Sequence, residues 1–477
     1  MQFVSTRGGM QPASFSDILL EGLAPDGGLV VPQEIPQVSS EQLESWRGLS
    51  YPELAAEVIG LFWTDIPRED LDAICARAYG EQFSSIVPIT KLDEQLSLVG
   101  LSEGPTLAFK DMAMQFLGEA IPYVLEQRGE ALNILGATSG DTGSAAEYAF
   151  RSKPNIGVFM LSPQGRMSEF QRAQMYSLPD ENIHNIAVEG VFDDCQNLVK
   201  ALNGDLEFKA EVSLGTVNSI NLGRVAAQVV YYFWAWLRVT DTLAENGADA
   251  AKLAGSQVSF SVPSGNFGNI FSGHLAKQMG VPVFLLVLAT NENNVLDEFF
   301  RTGIYAPRSR AETLATSSPS MDISKASNLE RFVYMLLGSD PDKLRAAWEE
   351  LDATGTLDLS AEQPRFTPEF GIVGGMSTHL DRIAAIRASY EKSGYILDPH
   401  TADGVTVARG FHEPGVPMLV LETAKPQKFA ETVREAIDRD PEVSEELADL
   451  LQRPQRTVSM PDDAEQLRAF IRAHAVR

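Results

Sequence analysis

The chain has 477 residues, a length that favours about three domains. Its 44% hydrophobic and 22% charged residues are close to the globular average, which excludes wholesale disorder and fibrous repeats. Thirty-eight Lys and Arg against 65 Asp and Glu leave a formal net charge of −27, which disfavours nucleic acid and anionic lipid as partners. The two cysteines, Cys75 and Cys195, predict neither a disulfide framework nor a zinc site and favour a reducing compartment.

The first residues show no charged segment followed by an apolar run, so we expect no secretory signal. The most apolar stretches, 225–237 and 281–289, are shorter than the roughly 18 to 20 residues that a membrane helix requires. We therefore expect a cytoplasmic protein that does not enter a membrane.

Helical spacing of apolar residues between prolines dominates the region before residue 90. Beyond it, short apolar runs alternate with longer amphipathic segments, the pattern of βαβ units around a parallel sheet. We expect an α/β protein with a mainly helical N-terminal domain over 1–95, a smaller α/β domain over 96–215 and a larger one over 216–477 that ends in a helical cover. Residues 241–257, rich in Ala, Gly and Asp, are predicted to form a surface excursion.

Lys110 stands where a helix is predicted to begin, because the apolar residues after it recur at helical spacing. If its amine points inward, burial and the helix N-terminus both lower its pKa and leave free amine to attack a carbonyl. That environment is typical of a Schiff-base lysine. The alternative is a lysine that extends from the helix start to solvent.

The loop 136–143 lies between a predicted strand, 132–135, and a predicted helix, 144–150. Its hydroxyls and the backbone N–H groups of the helix start are suited to bind a carboxylate or phosphate. The alternative makes Asp141 or Thr142 a plain helix N-cap. The hydroxyl residues of this loop are Thr138, Ser139 and Thr142.

A second loop, 263–269, lies between a predicted strand, 258–262, and a predicted helix, 270–279. Its glycines let the backbone approach a bound group, and the helix start attracts an anion, so a phosphate cradle and an ordinary tight turn are both open. Neither GxGxxG nor GxxxxGK[ST] occurs in the chain, which leaves dinucleotide and Walker sites without support. The candidate cradle comprises Ser264, Gly265, Asn266, Phe267, Gly268 and Asn269.

Two further polar positions fit a ligand site. Asn218, Ser219 and Arg224 combine an amide, a hydroxyl and a guanidinium that suit a phosphate, although on these residues alone a helix N-cap at Asn218 or Ser219 is favoured. Thr423 follows a predicted strand, 418–421, at the edge where open α/β sheets bind ligands; the alternative is a turn residue.

In their order along the chain these segments resemble the threonine synthase family, enzymes that use pyridoxal 5'-phosphate (PLP) and have fold type II, the tryptophan synthase β-like fold. The resemblance runs nearly end to end and also takes in segments 5–8, 23–28, 318–323 and 398–402. It implies two open twisted-sheet α/β domains and an N-terminal helical domain.

The resemblance implies that Lys110 forms the Schiff base with PLP and that residues 264–269 hold the cofactor phosphate. It places Thr423 at the pyridine nitrogen and Asp141 near the 3-hydroxyl. The implied reaction converts O-phospho-L-homoserine and water to L-threonine and phosphate, by γ-elimination and β-addition of water, as the last step of threonine biosynthesis. The implied substrate-binding residues are Thr138, Ser139, Thr142, Asn218, Ser219 and Arg224.

The nearest alternative is a related PLP-dependent phospho-lyase or a serine or threonine dehydratase of the same fold. An alternative from another class is a non-catalytic binder of phosphorylated metabolites. We expect no metal site, and a monomer and a homodimer both remain open.

Overall fold

The computed structural model describes residues 1–245, 247–248, 252–253 and 255–477, so part of the predicted excursion over 241–257 lies outside the described residues. The strands are β1 Phe3–Ser5, β2 Val30–Pro32, β3 Ile89–Lys91, β4 Leu96–Gly100, β5 Leu132–Ala137, β6 Ile156–Pro163, β7 Ile183–Val188, β8 Leu214–Gly215, β9 Val258–Pro263, β10 Val283–Thr290, β11 Ile304–Tyr305, β12 Leu357–Asp358, β13 Ile372–Met376, β14 Met418–Glu422 and β15 Val458–Met460.

The α-helices carry the amphipathic segments between these strands, and among the described residues none is both long and apolar enough to cross a membrane. They are α1 Phe15–Glu21, α2 Ser40–Ser45, α3 Tyr51–Gly60, α4 Arg68–Ala78, α5 Lys110–Arg128, α6 Asp141–Phe150, α7 Glu169–Tyr176, α8 Phe192–Gly204, α9 Leu206–Glu211, α10 Leu222–Glu245, α11 Gly268–Met279, α12 Val295–Thr302, α13 Leu329–Leu336, α14 Pro341–Thr354, α15 Phe366–Phe370, α16 His379–Ser393, α17 Pro399–Arg409, α18 Ala430–Ile437, α19 Glu445–Gln452 and α20 Ala464–His474.

The larger sheet has six strands in the order β13-β10-β9-β14-β4-β3. Its pairs are parallel except for β3, which runs antiparallel to β4 at one edge. Strands β9 and β14 are buried along their whole length, as expected of parallel strands that are covered by helices on both faces. The carboxyl ends of β4, β14 and β9 therefore lie next to one another.

The smaller sheet has five parallel strands in the order β15-β7-β6-β5-β8. Its central strand β6 is buried at every residue, and β5 beside it leads into the hydroxyl-rich loop. The architecture with two open sheets agrees with the sequence prediction. The N-terminal region holds α1 to α4, as predicted, and adds the antiparallel pair β1 and β2.

Sheet membership differs from the predicted boundaries at two places. Strand β4, predicted in the smaller domain over 96–215, pairs with β14 in the larger sheet. Residues 458–460, predicted within the helical cover of the larger domain over 216–477, instead form strand β15, which pairs with β7 in the smaller sheet. Both pairings join segments that are hundreds of residues apart, and no local pattern in the sequence specifies such a partner.

Helix α5, which begins at Lys110, packs against α6 at close range. A Cβ on Gly118 would lie 2.4 Å from the carbonyl oxygen of Ala149, a backbone atom that cannot rotate away. We expect Gly118→Ala to lower the free energy of unfolding by ~1–3 kcal/mol, measured by urea denaturation. Gly204→Ala, at the end of α8 with open space around its Cβ, is the control and should be neutral or slightly stabilising. An unchanged urea midpoint in Gly118→Ala would contradict this packing.

Candidate active site

Three neighbouring parallel strands bring the candidate residues to one edge of the larger sheet. Thr423 follows β14 directly, Ser264 follows β9 directly, and Lys110 follows β4 after a connecting loop. An antiparallel bridge between Ala108 and Ala424 joins the loop before the lysine to the segment after the threonine. Ligands of open α/β sheets bind at this edge, where the strands end.

Lys110 is the first residue of α5, as predicted, and its side chain is 13% exposed. The alternative of a lysine that extends to solvent is therefore wrong. Its Nζ lies 3.6 Å from Oδ2 of Asp141. Burial lowers the pKa of Lys110, and the charges of Lys428 and Arg224 lower it further, while Asp141 opposes the change. The amine is consequently easier to deprotonate than an exposed lysine.

The hydroxyl-rich loop is shorter than predicted, because α6 begins at Asp141 rather than at residue 144. Neither Asp141 nor Thr142 caps the helix. The Thr138 hydroxyl oxygen accepts hydrogen bonds from the backbone N–H groups of Gly140 and Gly143, both at 2.9 Å. Thr138 is buried and shapes the loop, whereas Thr142 is half-buried and Ser139, the remaining predicted residue of this loop, is exposed.

The carboxylate of Asp141 is contacted by side chains from several segments. Lys428 Nζ lies 2.8 Å from Oδ1, which also accepts from Gln171 Nε2 at 3.3 Å, and Ser320 Oγ donates to Oδ2 at 3.0 Å. Burial alone would raise the pKa of Asp141, but the ammonium groups of Lys428 and Lys110 hold it well below its usual range. The sequence analysis missed Lys428 and Gln171, because nothing local marks their contact with this carboxylate.

A hydrogen-bond network leads from Ser320 to the end of β14. The backbone N–H of Ser320 donates to His400 Nε2 at 3.1 Å, so the ring proton lies on Nδ1, which faces Asp398 Oδ1 at 2.9 Å. The Thr401 hydroxyl donates to Asp398 and accepts from the backbone N–H of Thr423 at 3.2 Å. The network fixes the backbone on both sides of the site. Segment 398–402 was one of the segments that resemble the family, but the sequence analysis assigned none of its residues a role.

The candidate phosphate cradle is a strained turn that opens into a helix. Helix α11 begins at Gly268, two residues before the predicted start, and Phe267 before it has a left-handed backbone with φ of 64°. The Phe267 ring stacks on Phe300, with ring centroids 5.8 Å apart, which holds the turn in place. A Cβ on Gly265 would lie 2.9 Å from Ile323 Cγ1, so a side chain at this position would clash.

Hydrogen bonds from neighbouring segments fix Asn266 and Asn269 of the cradle. Asn266 accepts from the backbone N–H of Asn328 at 3.1 Å through its carbonyl oxygen. The Asn269 side-chain oxygen accepts from the hydroxyls of Tyr231 at 2.5 Å and Tyr232 at 2.9 Å. The Nδ2 atom of Asn269 is buried and has no hydrogen-bond partner among the described residues.

Four buried polar atoms around the site have no hydrogen-bond partner in the part of the chain that the structure describes. They belong to residues that the sequence analysis had singled out. A buried polar group left unpaired costs ~1–3 kcal/mol, so such a cluster indicates a bound group that pairs with it. A ligand with a phosphate and a ring nitrogen fits these donors and hydroxyls. The atoms are Ser264 Oγ, Asn269 Nδ2, Thr423 Oγ1 and Arg224 Nε.

The predicted N-cap at Asn218 or Ser219 is wrong. Helix α10 begins at Leu222, and Asn221 Oδ1 accepts from the backbone N–H of Gly223 at 2.8 Å, so Asn221 serves as the cap. Asn218 is exposed and Ser219 is half-buried, so both side chains remain accessible to a ligand. The local pattern was recognised, but its position was shifted by three residues or fewer.

Arg224 is a buried guanidinium without a carboxylate partner among the described residues. Its side chain is 3% exposed, and its Nη1 donates a hydrogen bond to the Val217 carbonyl oxygen at 3.2 Å. Burial lowers the pKa of Arg224 to about 10. A desolvated positive charge with free donors is a strong anion-binding group, because guanidinium donors match the geometry of a phosphate.

The described residues contain no group of three or more His, Cys, Asp or Glu side chains arranged to hold a metal ion. An organic cofactor is the chemistry that the site supports. An amine with a lowered pKa can react with an aldehyde, and a phosphate cradle at the same sheet edge can hold the far end of the same molecule. On a scaffold of two open α/β sheets, this arrangement defines a PLP-dependent enzyme of fold type II.

Comparisons with known proteins narrow this class. The model for the threonine synthase N terminus matches residues 2–79, and the model for the C-terminal part of threonine synthase matches residues 401–471. The chain is 52% identical to threonine synthase from Methylobacillus glycogenes, covering 99% of this chain and 100% of the relative. It is 51% identical to threonine synthase from Corynebacterium glutamicum, with 99% and 98% covered.

Solved structures agree. A PLP-bound threonine synthase from Brucella melitensis superposes with a TM-score of 0.93 at 42% identity, over 100% of both chains. Threonine synthase from yeast superposes with a TM-score of 0.91 at 35% identity, over 99% and 98%. The chain belongs to the threonine synthase family. It is a PLP-dependent lyase of amino-acid biosynthesis, which confirms the predicted fold class and cofactor.

Proposed function

We propose that the chain converts O-phospho-L-homoserine and water to L-threonine and phosphate. The observation that carries this proposal is the presence of two anion-binding features: the cradle over 264–269 and the buried guanidinium of Arg224, which has no carboxylate partner among the described residues. One phosphate belongs to the cofactor, which leaves the second feature for a phosphorylated substrate. The free, buried thiols of Cys75 and Cys195 fit a reducing compartment, and we assign the reaction to the cytoplasm.

When bound, PLP supplies a conjugated ring that absorbs negative charge from the adjacent substrate carbon. In this proposal Lys110 would be the residue that holds the cofactor covalently, and its amine would move protons at the α and β carbons of the substrate. Its lowered pKa supports this role, because the amine must accept a proton near neutral pH.

The cofactor-binding residues follow from the unpaired atoms. Ser264 Oγ, Asn269 Nδ2 and the backbone N–H groups of 265–268 bind the phosphate, and the hydroxyl of Thr423 faces the ring nitrogen. Asp141 would bind the ring 3-hydroxyl, because its carboxylate lies 3.6 Å from the Lys110 amine that would hold the cofactor.

The proposed substrate-binding residues lie on two segments, 218–224 and 138–142. Arg224 binds the substrate phosphate, and Asn218 and Ser219 contribute polar contacts from the accessible start of the same segment. Ser139 and Thr142, with the N–H groups at the start of α6, bind the other anionic end. The Thr138 oxygen already accepts two backbone hydrogen bonds. Thr138 can therefore contact the substrate only by donating its hydroxyl proton.

The test is to incubate the purified full chain with PLP and O-phospho-L-homoserine and to identify the organic product. We expect L-threonine and inorganic phosphate in equal amounts. Phosphate with a keto acid and ammonia would instead indicate the lyase or dehydratase alternative. Unchanged substrate would indicate a binding protein. O-phospho-L-serine, which lacks one methylene group, is the matched control substrate and should not give threonine.

A further inference from the structure

A buried lysine contacts the candidate site and has no role in the function proposed above. Lys428 lies in the short 3-10 helix Pro426–Phe429, and its side chain is 0% exposed. Its Nζ contacts Asp141 Oδ1 at 2.8 Å, the Thr106 carbonyl oxygen at 2.8 Å and Gln174 Oε1 at 3.2 Å. These partners lie on three separate segments, so one ammonium group joins the loop before α5, the start of α6 and helix α7.

The three contacts engage all three protons of the Lys428 ammonium group. A group that is sealed from solvent and has every donor in use cannot pass on a proton without breaking a hydrogen bond. The geometry therefore does not fit a proton-transfer group. It fits a fixed positive charge that orients its neighbours.

The carboxylate of Asp141 is divided between two ammonium groups. Lys428 lies 2.8 Å from Oδ1, whereas Lys110 lies 3.6 Å from Oδ2, which also accepts a hydrogen bond from Ser320 Oγ. Coulombic attraction falls with distance, so the nearer ammonium has the stronger interaction. Lys110 thus lies beside a carboxylate whose charge is largely balanced by another residue.

We propose that Lys428 is a positioning residue for the reaction: it holds Asp141 by one oxygen and so keeps the amine of Lys110 from forming a full ion pair. The amine is then available to react with a carbonyl carbon. This inference rests on the proposed role of Lys110 as the amine that reacts with PLP, and it is independent of the substrate.

The charges around this pair agree with the proposal. Burial lowers the pKa of Lys110, Asp141 raises it, and Lys428 lowers it by repulsion. Without Lys428, the pKa of Lys110 would rise for two reasons: the repulsion would disappear and the whole carboxylate would face one ammonium group. Among the described residues, Arg224, His400 and Asp111 are further ionisable groups that interact with Lys110, Asp141 or Lys428.

Lys428→Met tests this, because it removes the charge and keeps a long side chain. In the full chain without PLP, we expect the pKa of Lys110 to rise by about one unit or more. Competitive isotope labelling of amines over a pH series, followed by peptide mass spectrometry, measures this pKa. The rate of PLP incorporation at neutral pH should fall about tenfold for each unit, since the fraction of free amine falls in proportion.

Lys425→Met is the matched control. Lys425 lies three residues earlier and contacts Glu103 at 2.5 Å and Glu422 at 3.1 Å, away from Asp141, so the pKa of Lys110 should not change. If Lys428→Met does not fold, Lys428→Gln decides the question, because it also removes the charge but keeps a hydrogen-bond donor for the buried partners. An unchanged pKa in the variant that folds, or an equal shift in Lys425→Met, overturns the proposal. The labelling needs no substrate, so it is separate from the test of the reaction.

Discussion

Replacement of Lys110 by alanine abolishes threonine formation, with an expected loss of at least ~10³-fold in kcat. The change removes both the amine that binds the cofactor covalently and the group that moves protons. Lys110 contributes little to the apolar core, because its amine lies beside the carboxylate of Asp141. The free energy of unfolding should therefore stay within ~1 kcal/mol of the wild-type value. Product analysis and urea denaturation measure the two quantities.

Borohydride reduction of the PLP-loaded chain locates the covalent link independently of turnover. Peptide mass spectrometry should find the reduced adduct on Lys110 and, in Lys110→Ala, on no lysine. Lys428 is an informative internal control, since it is a second lysine beside Asp141 but all of its protons are engaged. An adduct on Lys428, or normal turnover in Lys110→Ala, would refute the assignment of Lys110.

Replacement of Arg224 by methionine is expected to raise KM for the phosphorylated substrate by ~30-fold or more, whereas the affinity for PLP changes little. Loss of one partner of a buried, hydrogen-bonded charge pair costs ~2–5 kcal/mol, which gives this magnitude. The selectivity follows from the proposed roles, in which Arg224 binds the substrate phosphate and residues 264–269 bind the cofactor phosphate. Steady-state kinetics and a PLP titration give the two values. Equal losses in substrate and cofactor affinity would contradict the separation of roles.

Arg224→Met should also raise the free energy of unfolding of the substrate-free protein, although most substitutions of buried residues lower it. Burial without a carboxylate partner lowers the pKa of Arg224 to about 10, so at neutral pH its charge costs folding energy. In the PLP-loaded protein, whose cradle is already occupied, added inorganic phosphate should raise the Tm of the wild type and not that of Arg224→Met. Arg331→Met is the contrast. Burial also lowers the pKa of Arg331, to about 9, but its guanidinium donates to the Val30 and Ile220 carbonyl oxygens and to Asn328 Oδ1, so its loss leaves three buried acceptors unpaired and should destabilise.

Local patterns in the sequence located most of the site. Periodicity predicted that a helix begins at Lys110, because an amphipathic helix leaves a repeat every three or four residues. The strand, loop and helix around 258–279 were also recognised, with the helix start displaced by two residues. Helix starts are less certain than helix interiors, because capping depends on single hydrogen bonds such as that of Asn221.

The sequence by itself predicted the fold class and singled out the lysine, the candidate cradle and the threonine after β14, because the alternation of strands, loops and helices leaves a local pattern in the chain. Only the tertiary structure decided that β4 joins the larger sheet and β15 the smaller one. It alone showed that Arg224 has no carboxylate partner among the described residues and that Lys428 shares Asp141 with Lys110. These features arise when segments distant in sequence are packed together, and the resulting burial and charge balance have no local signature.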